Sequence, residues 1–380
     1  MTTPPPVPAP LPVPDDLRLL PGPDHILYRL PPRMSPYRAD LELLILEWAD
    51  RFGLVDGPRA RRRLADTHLG ELIARCYPHL RAERLAPLAG WFTWAFVIDD
   101  LYDGCASAEA AGHARATLGV LAASCSLRPG GPAPAPPPDR SSPRDAPPLV
   151  VELAEVWRCL AAHQSLQWQL RFIAHMGQFL DAFGYEAVNR EHRHVPSLGG
   201  YTQLRRASGG ITPSLDLLEY AAGLEVPALF HESEQLRTMV NKSADVVVWV
   251  NDVLSLKKEL AVGEVTNGVL AVSRELCCGI QDAVDHVYRR VARDIRAFLR
   301  AEESLVALCG TWHGLREADR IAITAFTDGL KAWMRGNLDW GLNSRRYLEA
   351  DTLRLTTDPG LLDRRPGPAP LPGTRTPPYR

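Results

Sequence analysis

The sequence predicts an all-α fold, and three observations carry that expectation. Apolar residues recur at helical rather than alternating spacing, and hairpin signals are scarce. Proline, which breaks helices and sheets alike, is concentrated in three tracts. Of 34 prolines among 380 residues, twelve lie in 1–37, nine in 129–148 and seven in 359–378, so long uninterrupted segments remain between these tracts.

The first segment, RADLELLILEWADRFGL, sets Leu41, Leu44, Ile45, Trp48 and Phe52 along one helical stripe. A second, EQLRTMVNKSADVVVWVNDVLSLKKELA, has neither proline nor glycine, and a third, IAITAFTDGLKAWMRGNLDWGLNSRRY, has no proline. The body between about residues 38 and 350 reads as roughly ten helices of somewhat above-average length. No internal repeat and no linker divides it, so it is expected to be one large α domain. The proline-rich tracts are expected to be disordered or extended: a tail over residues 1–24, a loop insertion over 127–148 and a C-terminal tail over 351–380.

Composition excludes several classes. A formal net charge of −2 and a pI near 6.6 leave no electrostatic footprint for nucleic acid or an anionic membrane. The seven cysteines form no framework, and the Cys277–Cys278 pair lacks the second pair or the histidines of a zinc site. Reduced thiols, no signal-peptide pattern and no run of 18 apolar residues together predict a soluble cytoplasmic protein with no membrane span.

Four groups of residues could carry chemistry. In VIDDLYDG, Asp99 and Asp103 are four apart and share a helical face, while Asp100 is turned about 100° away. Like charges at that spacing destabilise a helix unless a cation sits between them, and Mg2+ suits carboxylates with open sites that phosphate oxygens can fill. In VNDVLSLKKE, Asn251, Ser255 and Glu259 fall at i, i+4 and i+8, three oxygen donors along about 12 Å of one helix. Solvated polar faces are the ordinary explanation for either pattern alone. The basic groups are Arg205 and Arg206 before Gly209–Gly210, Lys257 and Lys258 within the second acidic stripe, and Arg345, Arg346 and Tyr347 near the end of the helical body. Guanidinium forks beside acidic metal ligands are the ingredients of a diphosphate site. Finally, Phe92 and Phe96 lie seven and three residues before Asp99, on its face, where aromatic rings could stabilise a cation.

Taken together, DDLYD, LRRASGG, NDVLSLKKE and SRRY, in that order, resemble the class I terpene synthases of bacteria. YRLPPRMSPYRADLELLILEWADRFGL, HVPSLGGYTQLRRASGG, GEVTNGVL and WMRGNLDWGLNSRRY extend the resemblance over about residues 25–350. It implies a single class I terpenoid synthase α-helical bundle around a central active-site cavity. It also implies a lyase that ionises an acyclic prenyl diphosphate, farnesyl diphosphate by family frequency, and cyclises the cation to a terpene hydrocarbon or alcohol. Geranyl, methylated geranyl and geranylgeranyl diphosphates are the alternatives within the class.

Carried over residue by residue, the resemblance makes Asp99 the main metal ligand, with Asp100 and Asp103 in support. Asn251, Ser255 and Glu259 chelate a further ion, three Mg2+ in all, with Mn2+ as a substitute. Arg205 becomes the diphosphate sensor, Ser208 and Gly209 the linker and effector of a helix break, and Lys258, Arg346 and Tyr347 diphosphate donors. Serine stands at the linker position, where relatives often carry Asp or Thr. Phe92 and Phe96 line the cation pocket, Arg206 is left as structural, and a homodimer is compatible with the family.

A chain-elongating prenyltransferase would carry a second DDxxD where this chain has NDVLSLKKE. An HD-type phosphohydrolase needs a His–Asp doublet, which the sequence lacks. A non-catalytic isoprenoid-binding scaffold would be expected to lose Asp99, Asn251 or Glu259, and all three are present.

Overall fold

The computed structural model describes residues 16–103, 148–192, 194–262 and 264–347. These residues contain helices and no strand, in agreement with the expected class. Among the described residues there are thirteen α-helices where roughly ten were expected for the body, three of them too short to show a period. The order is α1 (Arg38–Phe52), α2 (Gly57–Asp66), α3 (Leu69–Cys76), α4 (Leu85–Asp103), α5 (Pro148–Ala161), α6 (Leu166–Glu191) and α7 (Leu198–Ser208). Then follow α8 (Ile211–Ala222), α9 (Ala228–His231), α10 (Glu234–Val262), α11 (Gly268–Glu275), α12 (Ile280–Thr311) and α13 (Glu317–Asn343).

The centre of the bundle is α10. It buries Val246, Val247, Val248, Trp249 and Val250 in succession, so apolar partners surround it on every side there. It packs along α12 and α13, while α4 lies between α1 and α5. Several helix ends have a local cause. Gly53 ends α1 and Gly223 ends α8 in left-handed conformations, and Asn267 caps α11 by accepting from the Val269 and Leu270 N–H groups. Pro148 opens α5 at a position where its missing N–H costs no helical bond. Among the described residues no helix is long and apolar enough to cross a membrane.

Part of the segment 1–24, expected to be a tail, packs on the bundle. Leu17 is buried, the Arg18 N–H donates to Gln281 Oε1 at 2.9 Å, and the Tyr288 hydroxyl donates to the Leu19 carbonyl at 2.6 Å. Leu17 and Leu19 join the apolar core there, which a count of prolines conceals. Residues 1–15, the tract 127–147 and residues 351–380 lie outside the described residues.

One core position conflicts with its surroundings. Glu152 on α5 is fully buried, and neither carboxylate oxygen has a hydrogen-bond partner among the described residues. Burial alone holds its carboxyl well above the ordinary value of 4.5. Such a group contributes its stability below the unfolded-state value and loses it as pH rises towards the folded one. Glu152→Met is therefore expected to stabilise the protein by about 1–3 kcal/mol at pH 8, with a smaller gain at pH 5. Urea midpoints at the two pH values check this, and a loss of stability at pH 8 contradicts it.

Candidate active site

A cavity of about 1080 Å3, counting the space at its mouth, opens between α4, α7, α8, α10 and α13. Its deeper wall is aromatic and its rim polar. Phe92 and Phe96 from α4 meet Trp333 and Trp340 from α13: Phe92 stacks on Trp333 at 6.1 Å, and Phe96 meets Trp340 edge-on at 5.9 Å. Trp340 in turn meets Tyr347 at 5.7 Å, so a line of rings runs from the interior to the rim. Phe179 closes the side near Gly210.

The rim joins the groups picked out by sequence. Asp99, Arg205, Ser208, Gly209, Asn251, Ser255, Lys258, Glu259, Arg346 and Tyr347 all line this one cavity, although up to 248 residues separate them. Asp100 does not line it. One helical step round from Asp99, it is fully buried and 2.7 Å from the Arg346 guanidinium. Asp103 ends α4, and its side chain lies outside the described residues.

Positive and negative groups of the rim hold one another. Arg346 Nη2 donates to Asp99 Oδ2 at 2.8 Å, and the guanidinium lies 5.0 Å over the Phe96 ring. Its Nη1 is buried without a hydrogen-bond partner among the described residues, a spare charged donor at the cavity wall. Across the mouth, Arg205 Nη2 donates to Asn251 Oδ1 at 3.1 Å and its Nε to Asp252 Oδ1 at 2.9 Å. Asn251 Nδ2 donates to the Tyr347 hydroxyl at 2.8 Å, so the side chains of the two halves of the rim meet there. Burial raises the Tyr347 phenol above its ordinary value and keeps it a proton donor.

The acidic stripe on α10 is held from behind. Ser255 Oγ donates to the Asn251 carbonyl at 2.8 Å, and Asn267 Nδ2 donates to Glu259 Oε2 at 2.8 Å. Burial, with Asp252 adding its charge, pushes the Glu259 carboxyl up to about 8. That is an electrostatic deficit of the kind a bound cation removes. Among the described residues no three His, Cys, Asp or Glu side chains form a ready metal cluster; the donors here include an amide and a hydroxyl, and they face two sides of the mouth.

The break expected after Arg205 is present. Ser208 ends α7, Gly209 caps it, and Gly210 takes φ +60° before Ile211 opens α8. Only a residue that tolerates a left-handed backbone fits there without strain, and Phe179 lies 3.2 Å from where a Cβ would stand. The Ser208 hydroxyl is buried with no partner among the described residues.

Sequence reasoning missed the groups that fix these side chains. Asp252, fully buried, accepts from Arg205, from the Tyr201 hydroxyl and from the Gly268 N–H. Gly268 is what lets α11 approach: a Cβ there would lie 2.3 Å from the Trp249 ring. Asp252 was in view beside Asn251, but it points away from the stripe that drew attention. Asn267 carried a readable signal, an Asn directly before an apolar helix, which announces a cap but not a bond to Glu259.

The model of terpene synthase family 2, C-terminal metal binding, matches residues 90–297. Pristinol synthase of Streptomyces pristinaespiralis is 31% identical over 84% of this chain and 83% of its own length. The 7-epi-alpha-eudesmol synthase ((2E,6E)-farnesyl diphosphate cyclizing) of Streptomyces viridochromogenes is 30% identical over 80% and 86%. Among solved structures, a-eudesmol synthase superposes with a TM-score of 0.71 at 28% identity, over 83% of this chain and 97% of that one. Both the cavity and these relationships lead to one assignment: the chain belongs to terpene synthase family 2, the metal-binding class I terpene synthases, lyases that act on diphosphates.

Proposed function

We propose that the cavity takes an acyclic prenyl diphosphate, farnesyl diphosphate first among them, and cyclises it to a terpene hydrocarbon or alcohol with release of diphosphate. The observation that carries this is the union, in one cavity, of an aromatic interior with a rim of guanidinium, ammonium and phenol donors facing oxygen ligands. The choice of a farnesyl chain is supported by the relative whose name specifies that substrate.

Asp99, Asn251, Ser255 and Glu259 would hold the divalent cations, Mg2+ with three ions per site; Asp100 would support Asp99 from behind through Arg346, and Asp103 is carried over from the family motif alone. The donor set fits: hard oxygen ligands, and a Glu259 carboxyl whose pKa burial and the nearby Asp252 charge raise, so that a cation would favour its ionised form. Bound Mg2+ supplies Lewis-acid neutralisation of the diphosphate as the allylic C–O bond breaks.

The protein's own part follows from its contacts. Arg205 turns from Asn251 to the diphosphate, and Arg346 offers its unpartnered Nη1, with Lys258 and Tyr347 beside them. The electron pair of the C–O bond leaves on the diphosphate oxygen, so no protein nucleophile is required. Ser208 and Gly209, at the break, link a shift of Arg205 to the cavity wall. Phe92, Phe96, Trp333 and Trp340 present ring faces to the cation, each worth about 0.5–2 kcal/mol when desolvated. Exclusion of water delays quenching until cyclisation is complete, and proton loss or water addition ends the sequence.

Purified protein incubated with geranyl, farnesyl and geranylgeranyl diphosphates, with Mg2+ or with EDTA, tests the reading by gas chromatography–mass spectrometry. A cyclic product from farnesyl diphosphate, abolished by EDTA, is the expected result. A product from another chain length only would correct the substrate, and longer prenyl diphosphates on adding isopentenyl diphosphate would replace cyclisation by chain elongation.

A further inference from the structure

Arg206 does not reach the cavity, yet it is bound more tightly than its neighbour. Its Nε and Nη2 donate to the two oxygens of Asp245 at 2.5 and 2.9 Å, and Asp245 is fully buried. Lys242 Nζ reaches Asp245 at 3.2 Å and Asp294 of α12 at 2.9 Å. From α12, Arg290 Nη2 donates to Thr202 Oγ1 on α7 at 3.1 Å while its guanidinium lies 4.7 Å over Trp249. The Arg206 carbonyl accepts from Thr212 Oγ1 at 3.3 Å, across the helix break.

Asp245 and Asp252 stand seven residues apart on α10, two turns and about 10 Å along the same face. Consecutive arginines of α7 therefore meet α10 at two points, with Trp249 between them and packed on Tyr201 at 5.2 Å. The two clamps differ. Arg205 lines the cavity and has to exchange its partners when an anion arrives; Arg206 lies outside and has no reason to let go.

We propose that Arg206 and Asp245 form a positioning pair, which fixes the height and rotation of α7 on α10 so that Arg205 meets the diphosphate. A two-point attachment sets both quantities: when Arg205 exchanges its partners, the Arg206 fork still supplies the second point on α10, beside the Tyr201–Asp252 bond and the Arg290–Thr202 tie to α12. The inference rests on the reading of Arg205 as a diphosphate contact.

A pair that merely held the fold together would lower stability in any background. A pair acting through Arg205 has to lose its effect on binding once Arg205 is gone. The test is a double-mutant cycle in the full chain: Arg205→Met, Arg206→Met and the double variant, with inorganic diphosphate plus Mg2+ titrated by calorimetry. Arg206→Lys, which keeps the charge and loses the fork, replaces Arg206→Met in the cycle if the latter fails to fold. Arg206→Met is expected to weaken diphosphate binding about tenfold in the wild-type background and less than about twofold in the Arg205→Met background. Equal losses in both backgrounds, or wild-type affinity in a folded Arg206 variant, would overturn the proposal while leaving the Arg205 reading intact. Wild-type affinity in Arg205→Met would overturn both.

Discussion

Asn251→Ala is expected to lower turnover of a prenyl diphosphate by at least about 10²–10³-fold, the loss that follows removal of one preorganised electrostatic group, while the protein stays folded. The side chain makes two connections at once. Its Oδ1 accepts from Arg205 and its Nδ2 donates to Tyr347; in the proposed reaction the same Oδ1 would turn to a cation once Arg205 leaves it. Loss of one charge-assisted and one neutral hydrogen bond at a partly open rim costs about 1–3 kcal/mol, a modest share of the stability of a domain this size. Initial rates by gas chromatography–mass spectrometry and a circular dichroism melt separate the two effects. Asn251→Asp, which keeps an oxygen at the same reach, is expected to retain more activity than Ala; wild-type rates in Asn251→Ala would remove the α10 stripe from the reaction.

Arg346→Ala is expected to damage both fold and function. It removes one compensating charge from Asp100, which is fully buried and is also acted on by Arg63, and one from Asp99 at the rim. Breaking a buried ion pair on one side costs about 3–5 kcal/mol, because the remaining carboxylate has no water to turn to. The urea midpoint should fall accordingly. The two losses can be separated by pairing Arg346→Met with Asp100→Asn, which removes the stranded charge together with its partner. That double variant is expected to recover most of the stability and none of the turnover, since the donor meant for diphosphate stays absent. Recovery of both would make Arg346 a scaffold residue only.

How legible this was from sequence depended on the range of the interaction. Apolar periodicity found α1, and the lack of proline found α10 and α13, nearly to their ends, because both signals lie within a helix's own residues. The short α2, α9 and α11 left no such record. Phe92, Phe96 and Asp99 were placed on one face by counting from one another, and they do share the cavity wall. Counting could not tell that Asp100 would be turned inward onto Arg346, 246 residues later, since that pairing is a product of how α4 meets the end of α13. Asp245 and Asp252 were invisible for the same reason: what they do is set by α7, which the chain reaches some forty residues earlier. In the N-terminal segment it is Leu17 and Leu19, not the prolines around them, that decide the packing of the described residues.

The central claim is that donors and ligands now joined across the rim, Arg205 with Asn251 and Arg346 with Asp99, exchange one another for diphosphate and cation together. Each partner then prepares the site for the other, and binding of the two is coupled. Calorimetric titration of the wild-type protein with inorganic diphosphate, in the presence and absence of Mg2+, measures that coupling directly. The account predicts binding at least about a hundredfold tighter with Mg2+ than without it, upper-range coupling for two ligands that share an exchange. Equal affinity in the two titrations, or no binding in either, would contradict it.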